Sequence, residues 1–90
     1  MAETWTPVEL EVVTENAAKM RRRVPLDDLA PMGARWVRVG RFTVVEVFCY
    51  DRPQTVGIGV VRLNPGDEDN REQAVITALC KAFRHLWSQT

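Results

Sequence analysis

The sequence predicts an α+β domain in which a three-stranded antiparallel sheet packs on two helices in the order α-β-β-β-α. Apolar residues recur at helical spacing near both ends of the chain. Between them lie stretches that are rich in β-branched and aromatic residues and are separated by turns that contain glycine or proline. Ninety residues build one small core, so residues 1–90 are expected to form a single domain, with residues 1–5 flexible.

The first helix is predicted to begin at Thr6, which can cap it, with Pro7 in its first turn. It should end before Pro25, because the residue that precedes a proline avoids helical geometry. One alternative remains open. Apolar and acidic residues alternate over residues 7–13, as they do in an edge strand that leads into a helix from Thr14. The helical spacing itself rests on Leu10, Val13, Ala17 and Met20.

The three strands are predicted over residues 35–39, 42–50 and 55–62, after a helical turn and loop at residues 26–33. Gly40 at the first turn position favours a type II′ hairpin, and residues 51–54 are rich in turn formers. Asn70 is expected to cap the last helix, with Gln73 as its capping-box partner. The apolar stripe of that helix consists of Val75, Ala78, Leu79, Ala82, Phe83 and Leu86.

The middle strand is apolar on both faces. Its odd positions carry Thr43, Val45, Val47 and Cys49, and its even positions carry Phe42, Val44, Glu46, Phe48 and Tyr50. Two arrangements fit this pattern. The two helices divide between the two faces, or both cover one face and leave the other to the N-terminal segment, a second copy of the chain or a partner. An uncovered apolar face would mark an interaction surface.

Composition and charge exclude several classes of protein. A 46% hydrophobic and 27% charged content is that of a globular chain. Twelve basic and twelve acidic side chains cancel, which argues against a dedicated binder of nucleic acids or membranes. Two cysteines are too few for a disulfide-stapled secreted scaffold. No signal peptide or membrane-spanning run is recognisable, so a cytoplasmic location is expected.

Candidate chemistry is sparse. Cys49, Cys80 and His85 are the soft nucleophile or ligand candidates, and Cys80 and His85 project in different directions when five residues apart on a helix. Structural zinc requires four ligands. The acidic residues at 67–69 lack the spacing of a calcium loop and precede a helix, where negative charge is favourable. We therefore expect no enzymatic activity, no metal site and no cofactor.

Interaction residues are chosen on two grounds. Tryptophan and tyrosine are enriched at interface hot spots, and the dense arginine cluster at residues 21–23 can meet an acidic surface or a phosphate backbone. An alternative function as a nucleic-acid binder would combine that cluster with Arg35 and two further hairpin arginines. The candidate interaction residues are Trp5, Arg21, Arg22, Arg23, Trp36, Arg38, Arg41 and Tyr50.

The segment Val56-Gly57-Ile58-Gly59-Val60-Val61-Arg62-Leu63-Asn64-Pro65-Gly66-Asp67, with the helix that contains Ala74–Leu79, resembles a family of small actinobacterial proteins of unknown function. The resemblance covers residues 42–86. It implies the topology of a double-stranded-RNA-binding domain and an actinobacterial or actinobacteriophage source, but it implies no function. Binders of double-stranded RNA carry a lysine cluster at the start of their last helix. Residues 67–72 instead carry four acids and one arginine, which would repel phosphate.

The sequence therefore favours a non-enzymatic interaction module, encoded by a phage or by a chromosome as an accessory protein. It would bind a host protein or associate with itself, with a homodimer expected, through the sheet and the tryptophan-bearing ends. Nucleic acid is the disfavoured partner, and no membrane is expected.

Overall fold

A computed structural model describes residues 4–20, 32–50, 52–64, 66 and 68–88. It confirms the α+β class, with four strands in the sheet where three were predicted. All neighbouring strands are antiparallel and their spatial order follows the chain. The elements are β1 (Thr6–Pro7), α1 (Leu10–Met20), β2 (Met32–Val39), β3 (Phe42–Cys49), β4 (Arg52–Arg62) and α2 (Arg71–Ser88).

The additional strand arises where the helix was predicted to begin. Thr6–Pro7 pairs with β2, and the backbone N–H of Val8 donates to the carbonyl of Ala34 at 2.9 Å. These bonds hold the backbone extended, so α1 begins only at Leu10. Both predictions for this segment, a helix from Thr6 and a strand over residues 7–13, were partly wrong. The strand has only two residues, and the helix begins at Leu10, three residues after the strand ends. Pairing with a distant strand outweighed the local helix-start signal.

Two strands begin earlier than predicted. β2 starts at Met32, because Met32 and Gly33 continue the pairing with the end of β3. β4 starts at Arg52, within the predicted turn, and the pairing register shifts between Phe48 and Cys49, as at a β-bulge. The β2–β3 turn follows the prediction in that Gly40 has a positive φ of 57°. The arginine cluster at residues 21–23 and the loop expected over residues 26–31 lie outside the described residues.

Both helices cover the same face of the sheet. Helix α1 contacts β2, and α2 contacts β3 and β4 and also α1. Gly57 and Gly59 make this possible, since a Cβ at either position would overlap the α2 backbone. The hypothesis that the helices divide between the two faces is therefore wrong. The core between sheet and helices contains Val13, Ala17, Met32, Ala34, Val45, Val47, Val75, Ala78, Leu79, Ala82, Phe83 and Leu86.

Helix α2 follows its sequence pattern closely. Asn70 caps it as predicted, because its Oδ1 accepts the N–H of Gln73 at 3.1 Å. The reciprocal half of the capping box is not made, since the Gln73 side chain donates to Oγ1 of Thr77 at 3.2 Å. All six predicted stripe residues are buried. Trp87 stacks on Phe83 with ring centroids 5.1 Å apart. Neither of the described helices is long and apolar enough to cross a membrane.

Candidate interaction surface

The side of the sheet opposite the helices carries the candidate site, and we call it the open face. Strand alternation and the pairing register place on one side every residue that alternates with the core positions. Within the described part of the chain, neither helix packs there. The open face contains Pro7 of β1, Gly33, Arg35, Val37 and Val39 of β2, Phe42, Val44, Glu46 and Phe48 of β3, and Val56, Ile58, Val60 and Arg62 of β4.

Exposed apolar side chains concentrate on this face. Six large hydrophobic residues are exposed in the part of the chain that the structure describes, and the sixth is Leu10 on α1. Isolated exposed apolar residues are ordinary, whereas a contiguous group of them marks a contact surface. The other five belong to the open face or to its end, with 42–62% of their surface accessible: Val39, Phe42, Tyr50, Ile58 and Val60.

The exposed residues form a continuous patch across three strands. Val39 is the register partner of Phe42, and Val44 is the partner of Val60. Ile58 lies two residues from Val60 on the same side of β4. Neighbouring side chains on one sheet face lie about 5 Å apart, so these residues present one surface to any partner.

An aromatic group forms one end of the open face. The rings of Phe48 and Tyr50 meet edge to face, with centroids 5.3 Å apart. Both lie over Gly33, where an added Cβ would come within 2.6 Å of the Tyr50 hydroxyl and 2.9 Å of the Phe48 ring. Gly33 therefore gives these rings room to lie against the sheet. Tyr50, a predicted interaction residue, projects from this group and is 62% exposed.

Among the residues that the structure describes, a single ion pair lies at the centre of the open face. The guanidinium of Arg35 contacts Oε1 of Glu46 through Nε and Nη2, at 3.1 Å each. The ring of Trp5 stacks on that guanidinium, with its centroid 4.4 Å from Cζ. β1 positions Trp5, because Pro7 two residues later pairs with Arg35. The predicted interaction residue Trp5 thus reaches the open face.

Two other predicted residues lie on the opposite, helix-covered side. Arg38 forms a bidentate pair with Asp69 at 2.9 and 3.1 Å, and its Nε donates to Oγ1 of the buried Thr43 at 3.1 Å. Trp36 lines a groove of about 510 Å³ between the starts of the two helices, with the guanidinium of Arg71 5.7 Å from its ring. The structure therefore does not bring Trp36 and Arg38 together with Trp5 and Tyr50.

The remaining predicted residues contribute less. Arg41 is exposed in the β2–β3 turn. Arg21, Arg22 and Arg23 lie outside the described residues. The thiol of Cys80 is half-buried, with Sγ 4.0 Å from Oδ1 of Asn16.

The described residues include no group of three or more histidine, cysteine, aspartate or glutamate side chains placed to hold a metal.

The outer edge of β4 is partly covered by side chains from α2. The N–H of Ile58 donates to Nδ1 of His85 at 2.9 Å, and Nζ of Lys81 lies 3.4 Å from the carbonyl of Val60. Unpaired edge groups invite another strand to pair. These two contacts occupy an outward N–H and an outward carbonyl. The sheet face is therefore more accessible to a partner than this part of the edge.

The sequence alone did not predict that Arg35 and Glu46 lie on the same face of the sheet as Ile58 and Val60. The period-2 pattern places each residue on a face of its own strand, but it does not say which face of the next strand lies beside it. That requires the pairing register, and the register between β3 and β4 contains a shift.

The chain matches no protein-family model, and neither the curated proteins nor the solved structures gave a significant match.

Proposed function

We propose that this protein is a non-enzymatic interaction module that docks the open face of its sheet onto another folded protein surface. One observation carries the proposal. Five of the six exposed large hydrophobic residues within the described chain lie on or at the end of this single face. The same face carries a balanced ion pair, Arg35–Glu46, and the half-buried Trp5, features that suit a specific contact.

The size of the patch agrees with such a role. The five side chains together expose on the order of 400 Å² of mostly apolar surface, within the range of the largest patches on soluble monomers, which are often functional. Covering them corresponds to about 10 kcal/mol of gross hydrophobic free energy. Association costs offset much of this. The open face therefore presents enough apolar surface to form a specific complex.

The wider proposal is an accessory protein of phage or chromosomal origin that acts in the cytoplasm. The order α1, β2, β3, β4, α2, with both helices on one face, supports a topology like that of a double-stranded-RNA-binding domain. The positive charge that such a domain uses to bind RNA does not accompany this order of elements. Glu68, Asp69 and Glu72 lie around the start of α2, where an RNA-binding helix would need positive charge.

The alternative of nucleic-acid binding has less support from the hairpin arginines. Arg35 lies on the open face and pairs with Glu46, whereas Arg38 lies on the other side and pairs with Asp69. Two arginines on opposite sides of a sheet do not follow one phosphate backbone, and each is already neutralised by a carboxylate.

Site-specific photocrosslinking in the cells that contain the protein tests the proposal. A benzophenone amino acid replaces Phe42 on the open face, or Arg84 on the exposed side of α2 as the matched control. We expect one discrete adduct from position 42 and none of that mass from position 84. The same adduct should disappear when Val60→Asp is added, because a charge at the centre of the patch resists desolvation.

Equal adducts from both positions would contradict the proposal, as would an adduct that survives Val60→Asp. Absence of any adduct from position 42 would contradict it as well. Far-UV circular dichroism of each variant checks that the fold is retained.

A further inference from the structure

We infer that the partner of the open face is a second copy of this chain, bound face to face about a two-fold axis that runs between β2 and β3, parallel to the strands. This inference rests on the proposed function, and it specifies the partner and the geometry. Homo-oligomers are mostly symmetric dimers whose contact surface is the same on both copies. The open face must therefore complement itself, and its charges and shape allow this in one orientation.

The charges select the position of the axis. Arg35 and Glu46 are directly opposite each other on adjacent strands. A two-fold axis along the boundary of those strands exchanges β2 and β3 between the copies. Arg35 of each copy then lies over Glu46 of the other. An axis perpendicular to the strands through the same pair would instead place like charges opposite each other, which is unfavourable.

The interface would then contain a four-charge cluster, in which every arginine has a carboxylate in both chains. A buried charge is tolerated when it is paired and hydrogen-bonded. The pair is poised for this, since Glu46 is already mostly buried while Arg35 keeps 45% of its side chain exposed. The exposed guanidinium can reach a second carboxylate without breaking its first contact.

The same axis gives complementary apolar contacts along the face. Val39 opposes Phe42 of the other copy, as the register requires. Val37 opposes Val44 but is already buried within its own chain, so it adds little to this contact. On the outer strands, β4 opposes β1. Val60 then faces Trp5 of the other copy, which gives the exposed strand β4 an aromatic cover.

The dimensions predict a small interface. Three strands about 4.8 Å apart and about eight residues long, with the two-residue β1 beside them, span roughly 400 Å² of flat sheet. A typical stable interface takes about 800 Å² from each partner. Side-chain relief and the projecting Trp5 and Tyr50 add to the flat area. We therefore expect an aligned two-sheet sandwich with the sheets about 10 Å apart and a micromolar dissociation constant.

Charge reversal tests the geometry. By sedimentation equilibrium, the wild-type chain should shift with concentration from 10.3 kDa towards twice that mass. Arg35→Glu alone and Glu46→Arg alone should each remain monomeric, since like charges then oppose across the axis. An equimolar mixture of the two variants should form a heterodimer, because the four-charge cluster of that heterodimer again contains two arginines opposite two glutamates. The same mixture stays monomeric if the pair acts only within one chain.

A second measurement does not depend on the folding of the single variants. The doubly exchanged chain, Arg35→Glu with Glu46→Arg, keeps its internal ion pair in reverse. It should form its own homodimer but fail to mix with isotopically labelled wild type in native mass spectrometry, because arginine would oppose arginine. Free mixing of the two chains would overturn the proposed axis.

A wild-type chain that stays at 10.3 kDa up to millimolar concentration would overturn the second copy as partner. The proposed function would survive that result if position 42 still formed its Val60-dependent adduct with a different protein. Loss of both results would remove both proposals.

Discussion

The backbone N–H of Ile58, on the outer edge of β4, donates a hydrogen bond to Nδ1 of His85 on α2, at 2.9 Å. The histidine ring thus accepts a hydrogen bond that a neighbouring strand would otherwise accept. A residue considered for chemistry on sequence grounds therefore has a structural role at the edge of the sheet.

Replacement of His85 should weaken the domain and expose this edge. His85→Leu removes the acceptor, and we expect the free energy of unfolding in urea to fall by about 1 kcal/mol. Fibril formation, followed by thioflavin fluorescence, should accelerate because the edge of β4 becomes accessible to pairing. His85→Gln offers a carbonyl acceptor and is the control. Equal behaviour of the two variants would show that the Ile58 contact has no such role.

Gly59 should be intolerant of any side chain. A Cβ at this position overlaps the carbonyl group of Ala78 in α2, and that backbone cannot rotate away. Gly59→Ala should therefore cost about 3 kcal/mol or more in denaturant titration, or give no folded protein.

Gly40→Ala provides the comparison for Gly59→Ala. Among the described residues other than its two chain neighbours, no atom lies within 4 Å of a Cβ at Gly40, but the φ of 57° disfavours alanine by about 1–2 kcal/mol. Equal losses at the two positions would contradict the close approach of α2 to β4.

Arg38 should contribute more to stability than an ordinary surface charge. Its substitution by alanine removes the pair with Asp69 and also leaves Oγ1 of the buried Thr43 without its donor. We expect a loss of about 1–2 kcal/mol in urea unfolding. Lys19→Ala is the control, because its 3.6 Å pair with Glu15 is exposed on both sides and should contribute less than about 0.5 kcal/mol. An Arg38 effect as small as that of Lys19 would refute the prediction.

The two faces of the sheet should respond oppositely to an added carboxylate. Val45 is fully buried against the helices, so Val45→Asp should abolish cooperative thermal unfolding. Val60 is 42% exposed on the open face, so Val60→Asp should leave the melting transition of the monomer nearly unchanged and affect association alone. Loss of folding in both variants would mean that the open face is part of the core.

Much of the fold could be predicted from local patterns. The stripe of α2, the cap at Asn70 and the positive φ at Gly40 each follow from short-range rules that packing did not override. The start of α1 could not be predicted, because it depends on the hydrogen bond from Val8 to Ala34, and Ala34 lies twenty-six residues further along the chain. Local propensity carries no information about such a partner.

The candidate site shows the same division. Alternation along β3 was enough to predict two apolar faces, because the side-chain period of a strand is inherent in its geometry. Which face the helices would cover was decided by Gly57 and Gly59, whose missing side chains let α2 approach one side of β4. Only the pairing of β1, β2, β3 and β4 brought Trp5, Arg35, Glu46 and Val60 onto one surface, because residues far apart in the chain become neighbours through the strand register.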